Sequence, residues 1–382
     1  MPHALRFLLF MFAALLALPG QAQLMPNPPA VAARAWLLLD HASGQTLASL
    51  NADEKVEPAS LTKLMTAYIV FGALKQANLK SDQPVAVSER AWKAQGSRMF
   101  IEPNKAVTVD ELIRGMIVQS GNDACIALAE AVAGSEAEFV RMMNHEAARL
   151  GLANTHFVNA TGLPDPQHYS TAADLARLAS ALIRDFPEYY PIYSLKEYSY
   201  NKISQPNRNR LLWLDPTVDG IKTGHTEAAG YCLIASGKRG ARRLLSVVLG
   251  TASDALRAQE AQRLLNFGFL AFDGVRLYEK GQAVAQPRVF KGTLGKVRAG
   301  FDEDFVLSLP KGMADKLRVE LESRQPLLAP LQRGQRIATL KVFLDVGGEK
   351  QPWGSYPIVA LEDVPVAGVF GRAWDTLHLW FQ

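Results

Sequence analysis

The chain has 382 residues, 48% of them hydrophobic and 20% charged, a composition that excludes disorder, collagen-like repeats and coiled coil as the main architecture. Forty-one Lys+Arg against 37 Asp+Glu leave a net charge of only +4, spread thinly, so no basic stripe marks a nucleic-acid binder and no nucleic-acid partner is expected. Mean hydropathy near zero excludes a multi-span membrane protein, and the length predicts two or three domains.

Residues 1–22 carry Arg6, an apolar run from Phe7 to Leu18, and the small residues Gly20 and Ala22 before a cut after Ala22. That pattern predicts a secretory signal peptide, since the apolar run is well short of the ~20 residues that span a bilayer. The mature chain is therefore expected to be exported. Only Cys125 and Cys232 are present, one in a helical pattern and one in a strand-like pattern. Two buried free thiols are expected rather than a bridge.

Trp36–Leu39 and Thr46–Leu50, joined through Ala42-Ser43-Gly44, read as a β-hairpin. Helical periodicity follows over Leu61–Gln76, Val109–Val118, Ala124–Val132, Glu138–Leu150 and Ala172–Ile183, with Gly134 and Gly151 as stops. Strand patterns return at Val218–Lys222, Gly230–Ser236 and Arg243–Leu249, before a helix over Ala255–Phe267. Strands at both ends of a helical segment must meet in one sheet, which predicts an α/β sandwich of antiparallel strands over residues 30–275. Residues 276–365 change to short strands with Gly/Pro turns, at Phe305–Leu309, Leu317–Leu321, Ile337–Leu344 and Tyr356–Ala360, and predict a smaller all-β domain. Its scattered Lys and Arg residues read as a solvated surface.

Residues 366–382 place Phe370, Ala373, Trp374, Leu377, Trp380 and Phe381 at helical spacing. The pattern predicts an amphipathic terminal helix that lies in a membrane interface, the bland alternative being a helix docked on the protein itself. Arg372 as the only basic residue argues against strong attraction to anionic lipid.

Three short motifs carry chemistry. In Ser60-Leu61-Thr62-Lys63 a serine and a lysine three apart share one helical face, so the amine is placed to take the hydroxyl proton. That role requires Lys63 to be largely neutral, by burial and a nearby second cation. In Ser120-Gly121-Asn122 a loop between helices offers a hydroxyl for proton relay and a carboxamide for a substrate amide. In Lys222-Thr223-Gly224-His225 the lysine supplies the second cation, the threonine a donor, and Gly224 room for a substrate backbone to approach the strand. Each alone has an ordinary structural reading as a helix start, a turn or a strand end.

Together, in this order, they are the signature of penicillin-recognising serine enzymes. The chain resembles, more narrowly, the low-molecular-weight penicillin-binding proteins that are D-alanyl-D-alanine carboxypeptidases. The stretches that carry the resemblance are Glu57 to Thr66, Ser120 to Cys125, Thr155 to Asn159 with Gly162-Leu163-Pro164, Asn207 to Trp213 and Val218 to Thr226. The resemblance implies a five-stranded antiparallel sheet between helical clusters, with a β domain and an aromatic terminal helix that holds the enzyme peripherally at the periplasmic side of the cytoplasmic membrane. It implies that Ser60 attacks the penultimate D-Ala carbonyl of a peptidoglycan pentapeptide, and that β-lactam antibiotics acylate the same serine. Lys63 is then the base, and Ser120 and Lys222 pass the proton to the leaving amine. Asn122 holds the acyl chain, and the backbone N–H groups of Ser60 and His225 form the oxyanion hole. Arg257, assisted by Thr223, recognises the terminal carboxylate, and Arg208 shapes the electrostatics around Lys222.

Two other readings compete. A class A β-lactamase shares the motifs but needs a glutamate to activate the deacylating water, and no Glu occurs from Ala147 to Pro187. A non-catalytic cell-wall binding protein of the same fold has no need of Ser60, Lys63, Ser120 and Lys222 together. The seven histidines form no short-spaced metal pair and no Gly-rich phosphate loop is evident, so neither a metal nor another cofactor is expected.

Overall fold

A computed structural model describes residues 25–323 and 325–379; the expected signal peptide, Trp380 and Phe381 lie outside the described residues. The chain divides into two compact units, one of Pro28–Leu277 with Phe305–Leu309, the other including Tyr278–Asp304 and the chain from Pro310 onward.

In chain order the first unit comprises β1 (Ala35–Asp40), β2 (Thr46–Leu50), α1 (Lys63–Lys75), α2 (Val109–Val118), α3 (Asn122–Ala133), α4 (Glu136–Arg149), α5 (Ala172–Asp185), β3 (Glu197–Tyr200), β4 (Ile203–Pro206), β5 (Val218–Thr226), β6 (Gly230–Arg239), β7 (Arg242–Thr251) and α6 (Asp254–Ala271). The five-stranded sheet runs β2-β1-β7-β6-β5, all neighbours antiparallel. The opening hairpin thus meets the late strands in one sheet, as strands at both ends of the segment require.

Every residue of β1 is buried, because the sheet is covered on both faces. Leu37, Leu39, Leu245, Val247 and Leu249 face the helical cluster, where they pack with Leu64, Phe71 and Leu128. Trp36, Leu38, Leu244 and Val248 face α6, through Ala258, Ala261, Leu264 and Leu265. Alternation with period two thus divides the sheet between two cores.

The helices end where the sequence expects: Gly134 and Gly151 hold φ of 75° and 70°. Their starts are capped, with a reciprocal Thr108–Glu111 box on α2 and the Thr171 and Ser253 hydroxyls accepting from Asp174 N and Leu256 N. Two features differ from expectation. Ser60 sits on a 3-10 turn, Ala59–Thr62, and the α-helix begins only at Lys63. The strand Phe305–Pro310, expected in the all-β domain, pairs in a two-stranded sheet with Phe272–Tyr278.

The second unit is built on a sheet ordered Ala283–Ala285, Ala299–Gly300, Glu349–Ala360, Arg336–Val346 and Leu317–Ser323. Its long hairpin turns through Gly347-Gly348, both at positive φ, the two-residue turn whose twist matches the flanking strands. The terminal helix spans Val369–Leu379. Among the described residues no helix is long and apolar enough to cross a membrane.

Candidate active site

The Ser60 turn is held by contacts that leave no room for side chains. Ala59 adopts φ 47°, and a Cβ at Gly162 would fall 1.8 Å from the Ala59 carbonyl oxygen. Gly224 presses from the other side, where a Cβ would meet Pro58 O at 3.1 Å and the Ala59 Cβ at 3.2 Å. The absent side chain at Gly224 therefore also makes space for the protein's own serine turn, a packing role beside its place in the cleft lining.

Lys63 lies under that turn, 1% exposed. Its Nζ donates to Ser60 Oγ at 3.0 Å, to Asn122 Oδ1 at 2.7 Å and to the Thr161 carbonyl at 2.6 Å. Three acceptors match the three N–H bonds of an ammonium. The amine is pushed down from the ordinary 10.5 to about 8, chiefly by burial; the Arg208 charge acts in the same direction, and Cys125 and Asp123 oppose it.

Ser120 follows the Gln119 cap of α2 in the left-handed region, φ 65°, and lines the cleft. The adjoining Asp123 carboxylate accepts from Met99 N at 2.9 Å and Phe100 N at 2.8 Å. Asn122 N donates to Ser97 O at 2.7 Å, and its Nδ2 to Gln95 O at 2.6 Å. These bonds fix the 95–101 segment as one wall of the cleft. With the Lys63 bond to Oδ1, both ends of the Asn122 carboxamide are engaged, which leaves one N–H and one oxygen lone pair for a ligand.

Lys222 projects from β5, an edge strand of the sheet, and is 3% exposed. Its Nζ donates to Ser120 Oγ at 2.9 Å and to Thr223 O at 3.0 Å. Burial lowers its pKa well below the ordinary lysine value, and the charges of Lys63, Arg208 and Arg257 act in the same direction. Both buried amines thus part with a proton more readily than a solvated lysine.

A cleft of about 840 Å³ opens above these groups, lined by Ser60, Ser120, Thr223, Gly224, His225, Arg208 and Arg257. Lys63, Asn122 and Lys222 lie beneath its lining. Arg257 is buried, donates from Nη1 to Gly224 O at 3.1 Å and lies with its guanidinium carbon 5.5 Å from the Tyr231 ring centre. The His225 ring packs on the same tyrosine at 4.0 Å between centroids. All ten residues singled out in the sequence therefore converge on one cleft.

Comparison with known proteins supplies the family. Residues 22–253 match the D-alanyl-D-alanine carboxypeptidase family, peptidase S11, and residues 272–366 match the C-terminal domain of penicillin-binding protein 5. The chain is 45% identical over 365 residues to the D-alanyl-D-alanine carboxypeptidase DacC of Escherichia coli, covering 92% of this chain and 90% of that protein. The chain belongs to the D-alanyl-D-alanine carboxypeptidase family. Among solved structures, penicillin-binding protein 5 of Haemophilus influenzae superposes with TM-score 0.84 at 41% identity, covering 89% of this chain and 99% of that one. Penicillin-binding protein D2 of Listeria monocytogenes, solved in an ampicillin-bound form, superposes with TM-score 0.56 at 32% identity, covering 64% of this chain and all of that one.

For a member of this family, several structural contributors carry no chemical signature of their own. Thr161 acts on Lys63 through a main-chain carbonyl, Asp123 holds the wall segment, and Asn159 Oδ1 gathers the N–H groups of Thr161, Gly162 and Leu163 at 3.1, 2.7 and 3.2 Å. Asp123 and Asn159 have a sequence signal only through their place in the Ser120–Cys125 and Thr155–Asn159 stretches. Cys125 and Cys232 are buried and unpaired, and Cys125 Sγ lies 2.8 Å from the Ala160 carbonyl.

Proposed function

We propose that this chain removes the terminal D-alanine of peptidoglycan pentapeptides through an acyl-enzyme on Ser60. The observation that carries the reading is the pair of hydroxyl–amine contacts at one cleft, Lys63 to Ser60 and Lys222 to Ser120. Ser60 Oγ attacks the carbonyl carbon of the penultimate D-Ala, and Lys63, in its neutral form, accepts the hydroxyl proton. The C–N bond to the terminal D-Ala breaks, and Ser120 with Lys222 delivers a proton to the leaving nitrogen. Water then hydrolyses the ester, returning Ser60 and releasing the shortened peptide. The backbone N–H groups of Ser60 and His225 are assigned to the oxyanion and Asn122 to the acyl chain. Arg257 and Thr223 are assigned to the substrate's terminal carboxylate, and Arg208 to lowering the pKa of the two amines.

A β-lactam presents a reactive carbonyl beside a carboxylate and is expected to acylate the same serine. The β-lactamase reading is weaker: among the described residues lining the cleft the only carboxylate is Asp254, which is already tied to Arg257 and Arg210. We also place the enzyme outside the cytoplasm, with residues 1–22 as its export signal and residues 366–382 as a peripheral anchor at the membrane surface. The exposed Phe370, Trp374 and Leu377 support the anchor.

The test compares wild type with Ser60→Ala for D-alanine released from a peptide ending in D-Ala-D-Ala. Loss of release by at least about a thousandfold is expected. Equal release from both proteins refutes the assignment of the nucleophile.

A further inference from the structure

The charge around the cleft is lopsided. Arg257, Arg208 and Arg210 line it, against the single carboxylate of Asp254 among the described lining residues. Asp254 is the first residue of α6, directly after the Ser253 cap, and so stands one turn before Arg257 on the same face. One of its oxygens accepts from Arg257 Nη2, and the other lies 3.6 Å from Arg210 Nη1. The remaining Arg257 terminal nitrogen donates to Gly224 O at 3.1 Å, beside Thr223. The guanidinium assigned to the substrate's carboxylate therefore already carries a carboxylate of the protein's own.

The members of this network differ in freedom. Arg257 is buried, whereas the side chains of Asp254 and Arg210 are 40% and 55% exposed. Arg257 is thus a fixed post, and Asp254 is the movable partner with a second guanidinium waiting on its solvent side. Two carboxylates on one guanidinium repel each other, so an arriving carboxylate meets less resistance when Asp254 shifts its charge onto Arg210.

We infer that Asp254 is a built-in stand-in for the substrate's terminal carboxylate, a specificity-determining residue that competes for Arg257 and thereby sets KM. This rests on the assignment of Arg257 made under Proposed function. In the free enzyme the stand-in keeps the buried guanidinium paired and aimed. The cost is weaker binding of every substrate that ends in a carboxylate.

Asp254→Asn keeps the acceptor oxygen and the shape but removes the charge. It is expected to lower KM for a peptide ending in D-Ala-D-Ala about two- to fivefold, the scale of a half-exposed ion pair, while kcat moves by less than twofold. The inhibition constant of the same peptide with its C-terminus amidated, which has no charge to compete, is expected to stay put. A KM that is unchanged or raised overturns the inference, as does an equal gain for the amidated peptide. Asp254→Ser, with its thermal unfolding measured alongside, covers the case in which the asparagine variant folds poorly, and its KM must shift in the same direction. Arg257→Gln run in parallel separates the two assignments. If it leaves KM for the carboxylate peptide unchanged, the reading of Arg257 fails and the stand-in fails with it. If it raises KM while Asp254→Asn has no effect, only the stand-in is lost.

Discussion

The cleft and the terminal helix break the same rule in opposite directions. In the cleft two lysines are removed from water, Lys63 at 1% and Lys222 at 3% exposure. In the terminal helix large apolar side chains are given to it, Phe370 at 92% and Leu377 at 57%. A buried amine is unfavourable unless its N–H bonds are matched, and Lys63 has three acceptors within 3.0 Å. Phe370 and Leu377 keep most of their apolar surface in water among the described residues. The contrast teaches how each violation is to be read: a compensated one is a built reactive site, and an uncompensated one is a surface awaiting something apolar.

The largest expected effect breaks the first half of that contrast. Lys63→Met removes the proposed base and is expected to lower acylation of Ser60 about 10²- to 10⁴-fold, followed as the rate of labelling by a fluorescent penicillin. The same variant has a signature in stability. Lys63 titrates near 8 in the folded protein and near 10.5 when unfolded. Between those values the unfolded chain binds more protons, so this residue makes the fold more stable as pH rises from about 8 to 10.5 and contributes no slope below that window. The stability of wild type relative to Lys63→Met, from urea melts across that range, is expected to increase with pH. A flat difference would mean that the amine is not held neutral by the fold.

The second half is sharpened by deleting the chain after Pro365. Binding to phospholipid vesicles is expected to fall by at least about tenfold, while D-alanine release from a soluble peptide is unaltered. Undiminished vesicle binding by the truncated protein would mean that the apolar face has another use.

How far each region was legible in the sequence follows from the range of the interactions involved. Ser60 and Lys63 are three apart, and periodicity alone puts them on one face. The sheet was legible because Leu37–Leu39 and Val247–Leu249 are apolar runs that only a strand buried on both faces needs. The approach of Ser120 to Lys222, 102 positions apart, follows from the order of the three motifs and from no local physics. The hairpin β3–β4 escaped notice because its strands are four residues each and largely exposed, without a buried alternation. Thr161 was invisible for a different reason: its contribution is a carbonyl oxygen, which every residue has. The sequence points to Gly224 only as room for a substrate backbone; its tight approach to Pro58 and Ala59 is set by tertiary packing that no local pattern announces.

The smallest effect tests whether compensation in the cleft extends beyond hydrogen bonds. Arg208 stands exposed at the mouth, and its positive charge lowers the pKa of both Lys63 and Lys222. Since the base must be deprotonated to act, kcat/KM is expected to rise with pH through an acid limb centred near 8 in the wild type. Arg208→Gln relieves part of the repulsion that expels the proton. Its acid limb is expected to move to higher pH by a few tenths of a unit, which slows the enzyme at neutral pH and leaves the alkaline plateau nearly level. An exposed guanidinium is screened by salt, so raising the ionic strength to about 1 M, where the Debye length is near 3 Å, should move the wild-type limb toward that of the variant and leave the variant in place. A limb that stays fixed under both changes would assign the depression of the two amines to burial alone and reduce Arg208 to a contact at the rim.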